Sequence, residues 1–367
     1  MRILILANND VGLYNFRKEL IQEFLKQGNE VILSLPYGSR VEELEKMGCR
    51  YIRTEFERRS MNIFRDLKLI KYYISMVRKE KPDFILTYTI KPNIYGGIAA
   101  RVFGVRYITT ITGLGTTFQN SGLLRLLITK MYRVGLKKAQ HVIFENDENK
   151  NIFIKHRIIS ENKAVPVKGA GVNLDEYRYV PMDFSGPTRF LFIGRIMEEK
   201  GVNELFEVAR LIKESQQYNV EFDVLGFFED NYEKRVKYLE GSGIIRYHGF
   251  QNEVRSYIQK AHCVILPSYH EGMSNTLLES AAMGRPLITS NIPGCREAVI
   301  DGKTGYLCKV RDAEDLYQKV LKYLELSQEE RAMMGKESRI HIEGQFNRRD
   351  VVNTLINLMG KDFYAGN

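Results

Sequence analysis

Short apolar stretches alternate with longer helical ones along almost the whole chain, and this alternation constrains the fold more than any other feature. In the first half the apolar stretches are Ile3–Ala7, Val31–Leu35, Tyr51–Thr54, Phe84–Thr87, Tyr107–Ile111 and His141–Phe144. Helical stretches lie between them near 16–27, 63–80, 93–103, 122–138 and 147–155. Strands and helices alternating at this length imply a parallel sheet covered on both faces. The pattern pauses over Asn173–Pro187, a polar and aromatic stretch with two prolines that reads as a linker. It restarts at Phe190–Ile193 and continues with Glu221–Leu225, Ile244–Tyr247, Cys263–Leu266, Pro286–Thr289 and Gly305–Cys308. Helices fall near 201–215, 231–240, 253–260, 275–283, 313–325, 328–341 and 348–359. The restart predicts two doubly wound α/β domains facing a cleft, 1–180 and 181–345, with 346–367 a last helix packing back on the first. Ligands of such sheets bind beyond the carboxyl ends of the strands, so two facing edges suit an enzyme that joins two substrates.

Composition fits this reading. At 367 residues the chain exceeds one ordinary core of ~100–200 residues. Its 44% hydrophobic and 27% charged residues exclude a disordered or fibrous class. The cysteines, Cys49, Cys263, Cys295 and Cys308, form no CxxC pair, so neither a zinc site nor a disulfide framework is indicated, and a reducing cytoplasm fits. The amino-terminal MRILILANND is too short an apolar run for a signal peptide. The longest charge-free run, 107–124, is rich in Gly and Thr and does not read as a membrane span. Charge is lopsided. Residues 1–180 carry 30 Lys and Arg against 18 Asp and Glu, whereas 181–367 carry 24 against 27. An anionic partner for the first half alone is the reading this suggests, with drift in surface lysines as the alternative.

Two segments carry chemistry. In SYHEGMSNTLLESAAMGRP (268–286) a loop leads into a helix that Ser274 or Asn275 can cap. A helix start bearing Gly272, Ser274 and Asn275 offers backbone N–H groups and a dipole to an anion. Glu271 and Glu279 stand eight residues apart, which in a continuous helix is ~12 Å along one face, too far to share a proton. They would then have separate jobs, or be ordinary helix-surface glutamates. In FIGRIMEEKGVNEL (192–205) Arg195 and Lys200 occupy a strand-to-helix loop where a phosphate would lie, and a forked guanidinium suits a pyrophosphate. A solvated basic loop is the plainer alternative.

Together GRIMEEKG (194–201), EGMSNTLLE (271–279, an E-x7-E motif) and GRPLITSNIPGCREAVIDGKTGYL (284–307) resemble the retaining glycosyltransferases of family 4, which have the GT-B fold of two Rossmann-like domains. The first half resembles them through NNDVGLYNFR (8–17), TIKPNIYGGIAAR (89–101) and TGLGTTF (112–118). The combination is similar to bacterial enzymes that add N-acetylgalactosamine, galactose or N-acetylglucosamine to undecaprenyl-diphosphate-linked sugars. That resemblance implies a UDP-sugar donor (UDP-GalNAc, UDP-Gal or UDP-GlcNAc). It implies that Arg195 and Lys200 neutralise the leaving diphosphate. Glu271 would lie by the donor sugar and Glu279 on the ribose hydroxyls. Gly272, Met273, Ser274 and Asn275 would offer backbone N–H groups, Gly249 and Phe250 would bracket the base, and Gly12 would approach the phosphates. It implies retention of an α linkage and no cofactor. The chain holds no D-x-D triplet, so a metal-independent transfer is expected, with the two cations in the metal's place.

The acceptor side reads less sharply. The stretch 122–138 has five basic residues and no acid. At 100° per residue Arg125, Lys130, Arg133 and Lys137 fall within ~140°, as in a basic helix that rests on anionic lipid. A helix packed on the sheet with solvated lysines is the alternative. Arg58 to Lys91 holds nine basic residues against three acids. Gly113 and Gly115 are candidates to shape an acceptor diphosphate pocket. The expected place of work is the cytoplasmic face of the membrane, bound peripherally through the first domain. A transferase with a soluble acceptor, or an inactive scaffold or sugar-sensing subunit, are the other readings. No G-x-G-x-x-G follows the first strand, against a dinucleotide oxidoreductase, and no nucleic-acid-binding motif accompanies the basic half.

Overall fold

The computed structural model describes residues 1–55, 62–114 and 122–360, apart from the side chain of Leu123. Contacts divide the chain into two units, residues 1–170 with the segment from Arg349 on, and residues 171–348. In the first, β1 (Arg2–Leu6), α1 (Asp10–Lys26), β2 (Glu30–Leu35), α2 (Val41–Lys46) and β3 (Arg50–Arg53) lead to α3 (Ile63–Glu80) and β4 (Phe84–Tyr88). Then come α4 (Gly97–Val102), β5 (Arg106–Ile111), α5 (Leu123–Leu136), β6 (His141–Phe144), α6 (Asp147–Lys155) and β7 (Ala164–Pro166). The second unit starts with β8 (Thr188–Ile193), α7 (Val202–Ser215), β9 (Val220–Leu225), α8 (Glu233–Gly241), β10 (Arg246–Tyr247) and α9 (Arg255–Lys260). It continues with β11 (Cys263–Leu266), α10 (Asn275–Ala282), β12 (Leu287–Ser290), β13 (Gly305–Cys308), α11 (Ala313–Leu324) and α12 (Gln328–Gln345), and α13 (Arg348–Met359) follows.

All strand pairs are parallel, in the orders β3-β2-β1-β4-β5-β6-β7 and β10-β9-β8-β11-β12-β13. The reason is in the strands themselves. β1 and β4 are apolar at nearly every position, which only a sheet covered on both faces can bury. Alternate side chains serve opposite cores: Leu4 and Leu6 pack with Tyr73, Tyr132 and Phe153, whereas Ile3 and Ile5 pack with Leu13, Leu20 and Phe24. In each sheet the strand order reverses beside the first strand, between β1 and β4 and between β8 and β11, and such switch points are where ligands of doubly wound sheets bind.

The unit boundary falls at Ala170, ahead of the 180 read from the pause in the alternation. Residues 171–180 are tied to the second unit: Val172 N–H donates to Phe346 O at 2.8 Å, Arg339 Nη1 to Tyr177 O at 2.7 Å and Arg285 Nη2 to Val180 O at 2.6 Å. α13 begins at the end of the second unit and buries Val351, Leu355, Ile356 and Met359 in the core of the first. Two elements had no clear periodicity in the sequence, α2 and β7, because each is too short to show one.

Candidate functional site

At the switch point of the second unit, β8 and β11 feed the loops that carry the two sequence motifs. Gly201 lets these loops meet. Its φ is 69°, and a Cβ there would lie 2.0 Å from Pro267 O. Lys200 ends the short turn Glu198–Lys200, and Gly201 is the N-cap residue of α7. Tyr269 N–H donates to Glu199 O at 2.8 Å. The outcome is an ion pair between the motifs, Lys200 Nζ to Glu271 Oε1 at 2.5 Å, with side chains 16% and 12% exposed. Ser268 Oγ donates to the same carboxylate oxygen at 2.8 Å. Arg195 is more open, 41% exposed, with Nη1 3.6 Å from Glu229 Oε2. Burial pushes the nearby Cys295 thiol well up, so it is no nucleophile at neutral pH.

The loop and the helix start read from the sequence are where the structure has them, with Ser274 as the N-cap residue. α10 begins at Asn275, so Glu271 sits in the preceding loop and only Glu279 is helical. The Ser274 N–H donates to Gly294 O at 2.8 Å and is spent there. Gly294, with φ 83°, comes so close to Gly272 that a Cβ would lie 2.6 Å from its carbonyl oxygen. The Met273 side chain is in the core. Asn275 buries a side-chain oxygen that has no hydrogen-bond partner among the described residues. Glu279 is half-buried, and its carboxylate adds to the burial that pushes the Tyr177 phenol up.

Beyond β9 and β10 the loops are joined by Gly226 N–H to Gly249 O at 2.9 Å and Tyr247 Oη to Gly226 O at 2.8 Å. Phe250 and Phe227, 56% and 45% exposed, meet edge to face at 6.1 Å. Behind them Asp223 accepts a fork from Arg246 at 2.9 and 2.7 Å and lies 2.6 Å from His248 Nε2. Among the described residues no group of three or more His, Cys, Asp or Glu converges as a metal site.

In the first unit Gly12 is not in a loop. It lies in the first turn of α1, where its N–H donates to the Asn9 side chain at 2.5 Å. Gly113 follows β5, and Gly115 lies outside the described residues. On α5, Lys130, Arg133 and Lys137 are exposed, while Arg125 is half-buried. Arg133 is committed locally: it donates to His156 O at 2.6 Å and Arg157 O at 3.1 Å, closing the end of α6. Leu126, Leu127 and Val134, 51%, 49% and 44% exposed, share the lysine stripe, so apolar and basic residues lie on one outward face. The exposed side of α3 carries Ile63, Phe64 and Leu67 beside Lys68 and Lys71. Of the second basic zone, Arg58 and Arg59 lie outside the described residues. Among the described residues no helix is long and apolar enough to cross a membrane.

Several site residues escaped sequence reasoning. Ser268, Tyr269 and Gly294 lay inside the motifs but carried no separate signal. A buried pair in the first unit, Arg17 Nη2 to Glu145 Oε1 at 2.6 Å, had none at all, because its partners are far apart in sequence. At that unit's switch point Thr89 has φ 72°, a strained conformation for a β-branched residue.

Comparison with known proteins bears on the family and the fold. The family described as glycosyl transferases group 1 matches residues 176–341, and glycosyl transferase 4-like matches residues 2–146. The chain is 28% identical, over 89% of its length and 90% of the relative's, to the N,N'-diacetylbacillosaminyl-diphospho-undecaprenol alpha-1,3-N-acetylgalactosaminyltransferase of Campylobacter jejuni. It is 24% identical, over 70% of each chain, to the UDP-Gal:alpha-D-GlcNAc-diphosphoundecaprenol alpha-1,3-galactosyltransferase of Escherichia coli. Among solved structures, HepE of Anabaena in complex with UDP and glucose superposes with a TM-score of 0.80 at 15% identity, over 98% of this chain and 99% of that one. A glycosyltransferase of Rickettsia africae gives 0.79 at 21% identity, over the same shares.

Proposed function

The chain belongs to the glycosyltransferases that join a 4-like first half to a group 1 second half on the GT-B fold, and from that premise we propose that it moves a hexose or N-acetylhexosamine from a UDP-sugar to an undecaprenyl-diphosphate-linked saccharide. The observation that carries the reading is the meeting of Lys200 and Glu271 at the switch point of the second sheet, with Arg195 on the same loop as Lys200. Breaking a sugar–diphosphate bond leaves negative charge on the departing oxygens. Cations already fixed there stabilise that charge more in the transition state than in the ground state. Arg195 and Lys200 take this task. Glu271, alongside, faces the donor sugar. Gly272, Met273 and Asn275 offer N–H groups, Glu279 takes the ribose, and Gly249 and Phe250 hold the base. Transfer retains the α linkage and needs no metal ion.

The acceptor class is supported by the two relatives whose names specify diphosphoundecaprenol-linked sugars. The mixed basic and apolar faces of α5 and α3 support peripheral attachment to the anionic inner face of the cell membrane. The decisive experiment incubates the protein with radiolabelled UDP-GalNAc, UDP-Gal and UDP-GlcNAc and lipid extract, with and without EDTA, and partitions the products between butanol and water. Label entering butanol equally with EDTA present supports the proposal. Label transferred only to water-soluble product indicates a soluble acceptor, and loss with EDTA rejects metal independence.

A further inference from the structure

We propose that Tyr269 is a positioning residue that holds the Lys200 ammonium against the Glu271 carboxylate, gripping the Lys200 segment on both sides through Glu199 and Glu204. Its consequence for donor binding rests on the reading of Lys200 given above; the grip itself does not.

Lys200 and Glu271 come from different loops, and neither lies in a long element. A Lys–Glu pair of this kind gives up side-chain freedom to keep one geometry, so it persists only if the two backbones are fixed to each other. Tyr269 does that fixing, two residues before Glu271. Its N–H donates to Glu199 O at 2.8 Å, one residue before Lys200. Its hydroxyl donates to both carboxylate oxygens of Glu204, at 2.7 and 2.9 Å, in the first turn of α7 and four residues after Lys200. The close approach of Gly201 to Pro267 lies between these two bonds.

Tyr269 is only 4% exposed, so it acts through its neighbours. A hydroxyl bonded to a carboxylate is among the stronger hydrogen bonds a side chain makes. A third segment closes over the ring. The Arg311 guanidinium sits 4.6 Å from its centroid, on a turn where Arg311 has φ 58°. A non-glycine residue keeps that conformation only where its surroundings hold it.

The test uses the full chain and UDP as probe, with two readouts: UDP affinity by calorimetry, and the side-chain NMR signal of the Lys200 ammonium in nitrogen-15 lysine-labelled protein. In Tyr269→Phe the Lys200 signal is lost to solvent exchange and UDP binds about tenfold more weakly, while the thermal midpoint moves by a few degrees at most. Glu204→Gln, which keeps an acceptor oxygen, retains both readouts. A wild-type Lys200 signal in Tyr269→Phe overturns the proposal. Should that variant not fold, Glu204→Ala puts the same question from the other side of the bond, and there too a wild-type signal overturns it. Lys200→Ala separates the two ideas: if it binds UDP normally, the diphosphate reading of Lys200 fails, and the ammonium signal in Tyr269→Phe still decides on Tyr269.

Discussion

The Lys200 ammonium lies 2.5 Å from Glu271 Oε1 although 71 residues separate the two in sequence. The pair closes the gap between the loops after β8 and β11, and Ser268 adds a hydroxyl to the same oxygen. On the proposed reading a leaving diphosphate competes with Glu271 for this cation, so the pair would serve both the fold of the site and its chemistry.

Lys200→Ala leaves a mostly buried carboxylate without its cation. We expect a loss of about 1–3 kcal/mol in urea denaturation, partly recovered in Lys200→Ala/Glu271→Ala. Turnover in both variants falls by about a hundredfold or more. Equal stability of all three proteins would show the pair to be inert.

Arg195→Ala separates binding chemistry from folding. Arg195 is 41% exposed and its carboxylate neighbour is at 3.6 Å, so stability changes by less than about 0.5 kcal/mol. Turnover nevertheless drops by on the order of a hundredfold. A wild-type rate would remove Arg195 from the diphosphate site.

The fold and the site differed in how far the sequence revealed them. The apolar runs of β1, β4, β8 and β11 announce parallel strands because a doubly covered sheet needs apolar residues on both faces. Arg195, Lys200, Glu271 and Glu279 stood out as candidates because their spacing is local to two motifs. The start of α10 was legible too, from Ser274 and Asn275 as capping residues, but the hold of Gly294 on the Ser274 N–H was not, since that partner is twenty residues away and its role depends on backbone approach. Gly12 misled because a glycine in a helix's first turn and a glycine in an open loop look alike before the Asn9 cap is known. The bonds of Arg133 to the end of α6 were not legible, because His156 and Arg157 lie more than twenty residues further on.

Burial raises the Glu145 carboxyl above its ordinary value of 4.5, against the pull of Arg17. A carboxyl raised in the fold adds stability at low pH and loses it as pH rises through the folded value. In Arg17→Met the counter-charge is gone and the rise is larger. The variant should lose about 3–5 kcal/mol at pH 7, with the gap to wild type narrowing as pH falls towards 5. Thermal melts across that range test it; a gap independent of pH would contradict it.

Two glycines with similar backbone make a paired test. Gly28 has φ 74° and open space where a Cβ would go, whereas Gly201 has φ 69° and Pro267 O at 2.0 Å. Gly28→Ala should cost about 1 kcal/mol. Gly201→Ala should cost well over that and abolish turnover, because Lys200 must move with the loop. Equal melting temperatures would show that the two loops are not in contact.

Lys130→Ala/Lys137→Ala should weaken binding to vesicles containing anionic lipid by about thirtyfold, at roughly 1 kcal/mol per lysine, and leave binding to neutral vesicles unchanged. Vesicle flotation at low and high salt measures this. Unaltered flotation would take α5 off the membrane.

A crystal structure of the full chain grown with UDP tests the central claim most directly. The account predicts the diphosphate at the switch point of the second sheet, an oxygen about 2.7–2.9 Å from Lys200 Nζ and Arg195 turned towards it. A nucleotide bound with its phosphates away from both residues would contradict it.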